Sequence, residues 1–198
     1  MTDEKGIIKF NCKWIRKAPL KKELIKELNF WRDKMYRKKL IGVYANRIGY
    51  GNISIRHKKD QFIISGSATG KHKKLSARHY TTATSFNLAK NSLTAEGPIV
   101  ASSESLTHAV IYKYDKKINA VIHVHDKRLW KKLFTKVPAT KKNIEYGTPA
   151  MAKEMVRLFR ETDLARKKIL VMKGHKEGII AFGKDLAEAG EVILNALR

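Results

Sequence analysis

A short apolar run that ends in two histidines constrains this chain more than any other feature. Residues 120–125 have the sequence Ala-Val-Ile-His-Val-His. A run of this length and composition predicts a buried strand, and side chains two positions apart on a strand point to the same face. His123 and His125 are therefore expected to converge at one strand end, where two imidazoles can hold a divalent metal, most plausibly zinc. An edge strand with two exposed histidines is the alternative.

Hydrophobic periodicity over the remaining sequence predicts a single α/β domain spanning residues 1–198. Residues 1–16 are a candidate amino-terminal extension, with a short strand at 6–10, and residues 66–74 form a polar, glycine-containing loop. The predicted helices lie at 20–39, 103–114, 149–161 and 185–197. The predicted strands lie at 53–56, 62–65, 120–125, 168–173 and 179–182, with one or two more between 79 and 93.

The charge of the chain is strongly positive, with 42 Lys and Arg against 18 Asp and Glu, a net charge of +24. An imbalance of this size is typical of proteins that bind nucleic acid or an anionic surface. Here the excess consists of 31 Lys against 11 Arg, scattered from end to end, whereas nucleic-acid readers favour clustered arginine-rich patches. We therefore expect no nucleic-acid partner and interpret the charge as attracting a phosphorylated small substrate.

The sequence also bears on the cellular compartment. Cys12 is the only cysteine, so no disulfide can form within the chain. No run of about 18 apolar residues predicts a membrane span, and the amino terminus lacks the apolar segment of a secretory signal. These features together favour a protein of the reducing cytoplasm without a membrane anchor.

Two glycine-containing segments are candidates for an anion site. Residues 50–54 place Asn52 beside a glycine at a strand start, and residues 65–70 combine small residues with hydroxyl groups. Backbone N–H groups, amides and hydroxyls in such loops can surround a phosphate. An ordinary turn would have the same composition, so each segment alone is a weak signal.

Two further segments could supply acid–base chemistry and another metal ligand. Ser102 or Ser103 is a natural N-cap for the helix that follows, and Glu104 would lie in its first turn. There Glu104 could act as a general base or bind a metal, or it could simply interact favourably with the helix dipole. His108, one turn further on, is expected to be structural. His175 lies in a glycine-flanked turn between two strands, where it could complete a three-histidine site. Three protein ligands with an open position are typical of catalytic zinc.

These four segments, in this order, resemble the class II aldolase and adducin family. The resemblance extends from about Leu24 to Ala196 and rests on four motifs, namely Gly-Asn-Ile-Ser at 51–54, Ser-Ser-Glu at 102–104, His-Val-His at 123–125, and His175 with Gly-Lys-Asp-Leu-Ala-Glu-Ala at 183–189. It implies a three-layer α/β/α fold with a central, largely antiparallel sheet. It also implies a homotetramer with active sites at subunit interfaces.

The resemblance assigns a role to each candidate residue. The implied ligands of zinc, or of another divalent metal, are His123, His125 and His175, and the implied catalytic acid/base is Glu104. The implied phosphate-binding residues are Asn52, Thr69, Gly70, Ser102 and Ser103, with Ser65 or Ser67 as alternatives to Thr69 because the loop is about one residue longer than in the family.

The implied function is that of a zinc-dependent aldehyde-lyase acting on a phosphorylated ketose, of the fuculose-phosphate type. The retro-aldol cleavage would proceed through a metal-stabilised enediolate. Alternatives on the same site are 4-epimerisation of a pentulose phosphate and dehydration of methylthioribulose phosphate. A non-catalytic, adducin-like interaction module and an RNA-binding protein are the alternatives from other classes.

The chain departs from the family pattern in two segments near the predicted site. After the third histidine it has Lys176-Glu177-Gly178, which lengthens the turn and could add Glu177 as a ligand or base. The segment between Pro138 and Gly147 is short, and Tyr146 is not expected to replace the tyrosine acid of the family's aldolases. The metal ligands therefore match the family better than the parts that select a substrate.

Overall fold

The computed structural model describes residues 8–198, and within them eight strands form one sheet and two form a hairpin. The strands are β1 (Asn11–Arg16), β2 (Gly42–Val43), β3 (Gly49–Tyr50), β4 (Asn52–Arg56), β5 (Phe62–Ser65), β6 (Tyr80–Asn87), β7 (Ser92–Gly97), β8 (Ala120–His125), β9 (Ile169–Val171) and β10 (Gly178–Gly183). The helices are α1 (Lys22–Arg37), α2 (Ser105–Tyr114), α3 (Lys127–Leu133), α4 (Pro149–Glu161), α5 (Leu164–Lys167) and α6 (Leu186–Leu197).

The sheet has the order β1-β7-β6-β5-β4-β8-β10-β9, and strands β2 and β3 pair with each other outside it. Strands β1 and β7 are the parallel pair of the described sheet, and its other neighbours run antiparallel. Strand β8, which ends in the two histidines, lies between β4 and β10 and is paired on both edges. The expectation of a largely antiparallel central sheet is confirmed.

Helices cover both faces of the sheet because the central strands are apolar on both sides. In β8, Val121 packs into a core formed with α2 and α4, whereas Ile122 packs into a second core formed with α1, α3 and α6. Alternate residues of a strand face opposite sides, so a continuous apolar strand predicts a layer of helices on each. The structure therefore has the three-layer α/β/α architecture.

The helices follow from apolar spacing and from side-chain caps. In α1 the buried residues Ile25, Leu28 and Met35 recur at helical spacing. Thr148 caps α4 by accepting a hydrogen bond from the Met151 amide at 3.2 Å, and Pro149 occupies the first turn. Asp185 caps α6 through the Glu188 amide at 2.7 Å.

The amino-terminal prediction needs correction. The predicted strand at 6–10 lies partly outside the described residues, and residues 8–10 are not a strand. The observed strand β1 begins at Asn11 and adds a parallel strand to the edge of the sheet beside β7. Helix α3 and the β2–β3 hairpin were also not predicted, because both are too short for a clear periodicity. Between residues 8 and 198 no helix combines the length and apolar character needed to cross a membrane.

Candidate metal centre

Strand β8 and the turn between β9 and β10 bring three histidines together. The Nε2 atom of His125 lies 3.0 Å from Nε2 of His123 and 3.0 Å from Nε2 of His175. His123 and His125 share one face of β8, as their spacing predicts, and both are buried. The candidate ligand nitrogens of the three residues all lie within 4.8 Å of one another.

Hydrogen bonding and burial leave these rings ready to accept a cation. The Nδ1 of His123 lies 3.2 Å from the Ile179 carbonyl oxygen, which can only accept, so Nδ1 carries the proton. Burial, assisted by the neighbouring histidines, lowers the pKa of His123 well below its ordinary value and that of His125 to about 3. A neutral His123 therefore directs its Nε2 lone pair at the cluster. The converging nitrogens fit the donor set of a transition-metal ion.

Glu104 lies beside the cluster with one oxygen unused. Its Oε2 accepts a hydrogen bond from the Thr107 hydroxyl at 2.9 Å, whereas Oε1 has no hydrogen-bond partner among residues 8–198 and lies 3.7 Å from Nε2 of His175. Burial raises the pKa of Glu104 to about 7, although Thr107 and Lys9 act in the opposite direction. A buried, unpartnered carboxylate oxygen requires a cation or a proton donor.

The predicted cap of α2 is wrong in detail. The helix begins at Ser105, and Glu104 rather than Ser102 or Ser103 occupies the N-cap position. Ser102 instead lies in the bend before the helix, where its carbonyl oxygen accepts hydrogen bonds from the backbone and hydroxyl of Ser105. This bend, rather than a helical turn, directs the Glu104 side chain toward His175.

A glycine allows His175 to approach the cluster. A Cβ atom at Gly178 would lie 2.7 Å from Cδ2 of His175 and 3.2 Å from Cε1 of His123. The longer turn, Lys176-Glu177-Gly178, thus places its glycine against both ligand rings. The other side of the His175 ring packs on Tyr146, with ring centroids 4.6 Å apart. Tyr146, which is not expected to replace the tyrosine acid of the family's aldolases, lines the pocket.

The candidate phosphate-binding residues line the same pocket as the histidines. Asn52, the first residue of β4, pairs with His123, and its Oδ1 atom has no partner in the described part of the chain. The residue 65–71 loop is joined to the segment before Ser102 by a bridge between Gly66 and Ala101. The hydroxyl of Thr69 donates to the Gly66 carbonyl at 2.9 Å, so it contributes to the loop's own structure.

The structure also shows where the two alternatives to Thr69, Ser65 and Ser67, lie. The hydroxyl oxygen of Ser65 accepts a hydrogen bond from the Ile53 amide at 3.2 Å, which ties Ser65 to β4. Ser67 lines the pocket together with Ser102 and Ser103. Ser67 is therefore the better placed of the two alternatives.

Arg32 holds the residue 65–71 loop in place through hydrogen bonds, a role that the sequence analysis did not predict. Its buried guanidinium donates hydrogen bonds to the carbonyl oxygens of Lys73 at 2.9 Å, Thr69 at 3.3 Å and Gly70 at 3.4 Å. Gly70 is also close to the hairpin, since a Cβ atom there would lie 2.0 Å from the Gly42 carbonyl oxygen. One sequence feature could have pointed to this role, because Arg32 lies on the apolar face of α1 between Leu28 and Met35.

The pocket has a volume of about 780 Å³, within the usual range for small-ligand sites. Two cationic residues at its rim, Arg47 and Lys71, were not singled out from the sequence. The pocket is lined by the three histidines, Glu104, Asn52, Gly66 to Lys71, Ser102, Ser103, Tyr146 and the hairpin residues Tyr44 and Asn46 to Gly51.

The fold and the site thus define a three-layer α/β protein with a candidate metal centre at one end of a polar pocket. Residues 43–131 match the family model described as class II aldolase and adducin N-terminal domain, a range that includes Glu104, His123 and His125. No curated protein sequence matches the chain at a significant level. The match confirms the predicted resemblance to the class II aldolase and adducin family over these residues.

Solved structures agree on the fold. An L-fuculose 1-phosphate aldolase superposes with a TM-score of 0.67 at 17% identity, over 90% of this chain and 83% of that one. A sugar-phosphate aldolase from Thermotoga maritima gives 0.64 at 16% identity, over 88% and 90%. The l-fuculose-1-phosphate aldolase from Thermus thermophilus gives 0.59 at 22% identity, also over 88% and 90%. At these identities the similarity establishes the class II aldolase fold.

Proposed function

We propose that this chain is a zinc-dependent aldehyde-lyase that cleaves a phosphorylated ketose. The observation that carries the proposal is the convergence of three histidine Nε2 atoms, with Oε1 of Glu104 unpartnered at 3.7 Å from one of them. The aldolase names of the structural relatives support the same reaction class.

In this proposal His123, His125 and His175 hold the ion. Neutral imidazole suits zinc, and three protein ligands leave a position open for the substrate. A divalent ion bound there supplies Lewis-acid stabilisation of the negative charge that develops on a substrate oxygen. The depressed pKa values of the three histidines keep the rings neutral, which is the form that binds a metal.

Glu104 transfers the proton in this proposal. In a retro-aldol cleavage a base removes the proton of the hydroxyl group on the carbon that leaves as aldehyde. The electron pair of the broken C–C bond passes to the carbon beside the carbonyl, which then takes a proton. A carboxyl group with a pKa near 7 can accept and return a proton at neutral pH, and burial gives Glu104 such a pKa.

Polar residues of the same pocket would bind the phosphate. Asn52, Thr69, Gly70, Ser102 and Ser103 are the proposed contacts, with Arg47 and Lys71 adding positive charge on the same pocket. Because the hydroxyl of Thr69 is bonded within the loop, its contribution would come from its backbone. The net charge of +24 would also attract an anionic substrate to the pocket.

The remaining parts of the proposal concern the whole molecule. We infer that residues 1–198 act as one domain and assemble as a homotetramer, as the family resemblance implies. Light scattering on the full chain tests the homotetramer, and a mass of about one chain would contradict it.

The reaction is tested by metal analysis followed by incubation with a panel of ketose phosphates. We expect about one zinc per chain and the appearance of two carbonyl fragments from one sugar phosphate. An isomeric ketose would indicate the epimerase, and loss of water without fragmentation would indicate the dehydratase. Bound metal without turnover of any sugar phosphate would favour a non-catalytic, adducin-like module.

A further inference from the structure

Two segments far apart in sequence meet at the back of the His125 ring. Tyr44 follows β2 in the hairpin, and Glu177 lies in the turn before β10. The Tyr44 hydroxyl oxygen lies 2.8 Å from Nδ1 of His125 and 3.0 Å from Oε2 of Glu177. We propose that Tyr44 and Glu177 are positioning residues that orient His125 for metal binding through this hydroxyl–carboxylate relay.

The chemistry of the three groups fixes the direction of the relay. A carboxylate can only accept a hydrogen bond, and a tyrosine hydroxyl has one proton to donate. If Tyr44 donates to Glu177, its oxygen is left to accept from Nδ1–H of His125. A neutral His125 then has its lone pair on Nε2, the atom that lies 3.0 Å from Nε2 of both His123 and His175.

The same task is performed differently for the neighbouring ligand. Nδ1 of His123 donates to a backbone carbonyl, that of Ile179, so the chain fold alone sets its orientation. His125 is held by side chains from two separate segments. Groups of this kind around a metal fix the tautomer and ring orientation of a ligand, and their removal usually weakens metal affinity by about 10- to 100-fold.

The backbone at Glu177 supports a dedicated role for its side chain. Its φ of +70° is in the left-handed region, which glycine or asparagine adopts at lower cost than glutamate. The carbonyl of Glu177 also accepts a hydrogen bond from the Asp126 amide at 3.2 Å, which ties the turn to the residue after His125. The carboxylate thus reaches Tyr44 from an anchored turn.

This inference rests on the proposed function, since it assumes that the histidines bind a metal. It assigns Glu177 neither as a ligand nor as a base but as a group one hydrogen bond removed from His125. It depends on the Lys176-Glu177-Gly178 turn and on a tyrosine at position 44.

The first test compares zinc affinities of the full chain by competition with a chromophoric chelator. We expect Tyr44→Phe to weaken zinc binding by about 10- to 100-fold. Glu177→Gln should weaken it less, because the amide oxygen can still accept from Tyr44. The double variant should bind no more weakly than Tyr44→Phe alone, since both changes break one relay.

Tyr50→Phe is the matched control. The Tyr50 ring also lies against His125, with centroids 5.6 Å apart, but its hydroxyl donates to the Lys39 carbonyl at 3.2 Å. Its zinc affinity should equal that of the wild type. A second readout is ¹⁵N NMR of the metal-free full chain, in which His125 should carry its proton on Nδ1 and lose this preference in Tyr44→Phe.

The outcomes separate the relay from the reaction. Unchanged zinc affinity in Tyr44→Phe, or a proton on Nε2 of His125 in the wild type, would overturn the relay even if the enzyme cleaves a sugar phosphate. Weakened zinc binding in Tyr44→Phe would support the relay even if no ketose phosphate is cleaved. A wild type that binds no zinc would overturn the relay and the proposed metal centre together.

Discussion

The histidine cluster (the histidine end) and the residue 65–71 loop (the loop end) belong to one pocket but are held in place by different means. At the histidine end, His123 is paired with Asn52 on one side and Ile180 on the other, so a three-strand ladder sets its position. At the loop end, Arg32 donates hydrogen bonds to the carbonyl oxygens of Thr69 and Gly70 within the loop and of Lys73 just after it. The position of His123 thus depends on sheet register, whereas the loop depends on a buried side chain together with a few local hydrogen bonds.

This difference separates the expected effects of mutations. At the histidine end a side chain can be removed while the ladder remains, so metal binding and turnover should be lost before the fold. At the loop end, removal of the supporting side chain should change stability and substrate affinity together while the metal ligands remain in place. The following predictions test this contrast, beginning with the largest expected effect.

His123→Ala should abolish stoichiometric zinc binding and bring turnover below detection. The loss of one of three protein ligands should cost more than the roughly 100-fold that outer groups can cost. Metal analysis and a turnover assay measure the effect, and circular dichroism should show the wild-type fold. His57→Ala, at a partly exposed histidine after β4, is the control and should bind zinc normally. Retained zinc in His123→Ala would remove His123 from the metal centre.

Glu104→Gln should retain zinc and lower kcat by about 10²- to 10⁴-fold, the usual contribution of a general acid–base group. The amide has nearly the same shape as the carboxyl group but cannot transfer the proton. Zinc content and steady-state kinetics measured on one preparation check both parts. Asp126→Asn is a matched control, because this carboxylate follows His125 but caps α3 through the Leu129 amide. Unchanged turnover in Glu104→Gln would show that Glu104 does not move the proton.

Arg32→Met should act at the loop end. It keeps much of the buried volume but leaves the carbonyl groups of Thr69, Gly70 and Lys73 without their donor, which should lower the free energy of unfolding by about 2–4 kcal/mol. A displaced loop should also raise KM for the phosphorylated substrate by roughly tenfold, with zinc content unchanged. Urea unfolding and steady-state kinetics measure these effects.

The matched control for Arg32 is Arg37→Met on the same helix. The Arg37 side chain is exposed and donates locally to the Asp33 carbonyl at 3.4 Å, so its stability change should be small. Loss of zinc from Arg32→Met would contradict the contrast, because the loop would then support the ligands as well.

The same contrast explains which parts of the site could be predicted. The His123–His125 pair is a local signal, since two residues on one strand determine their shared face. The N-cap was misplaced because Ser102 and Glu104 lie in a bend, and the residue before it, Ala101, is bridged to Gly66 from a distant part of the chain.

The supports of the site had no comparable local signal. Arg32 lies 37 residues before the first loop carbonyl that it contacts, and Tyr44 lies 133 residues before Glu177. Their roles depend on tertiary contacts, whereas sequence patterns report mainly on neighbours along a strand or helix. The central strands could be predicted because a continuous apolar run is visible within a few neighbouring residues.

The smallest expected effect concerns His108, a buried histidine that is not part of the three-histidine cluster. His108 lies on α2, and its Nδ1 is 2.7 Å from the Ser54 hydroxyl oxygen, which also contacts the Tyr112 hydroxyl. Burial lowers the pKa of His108 to about 3. A histidine in the unfolded chain takes up its proton near pH 6.5, so between these values the unfolded chain binds more protons. Stability should therefore fall as the pH is lowered through this window.

At about pH 5 the protonation of His108 in the unfolded chain should lower the free energy of unfolding by roughly 2 kcal/mol relative to neutral pH. His123, whose pKa is also lowered by burial, contributes in the same direction, so His108→Gln should flatten the pH dependence without abolishing it. Urea unfolding at neutral and mildly acid pH measures the difference, with His57→Gln as control because that histidine is only partly buried. A pH dependence in His108→Gln equal to that of the wild type would show that His108 accepts a proton within the fold. The loss of stability at acid pH would then come from the three candidate ligand histidines and not from His108.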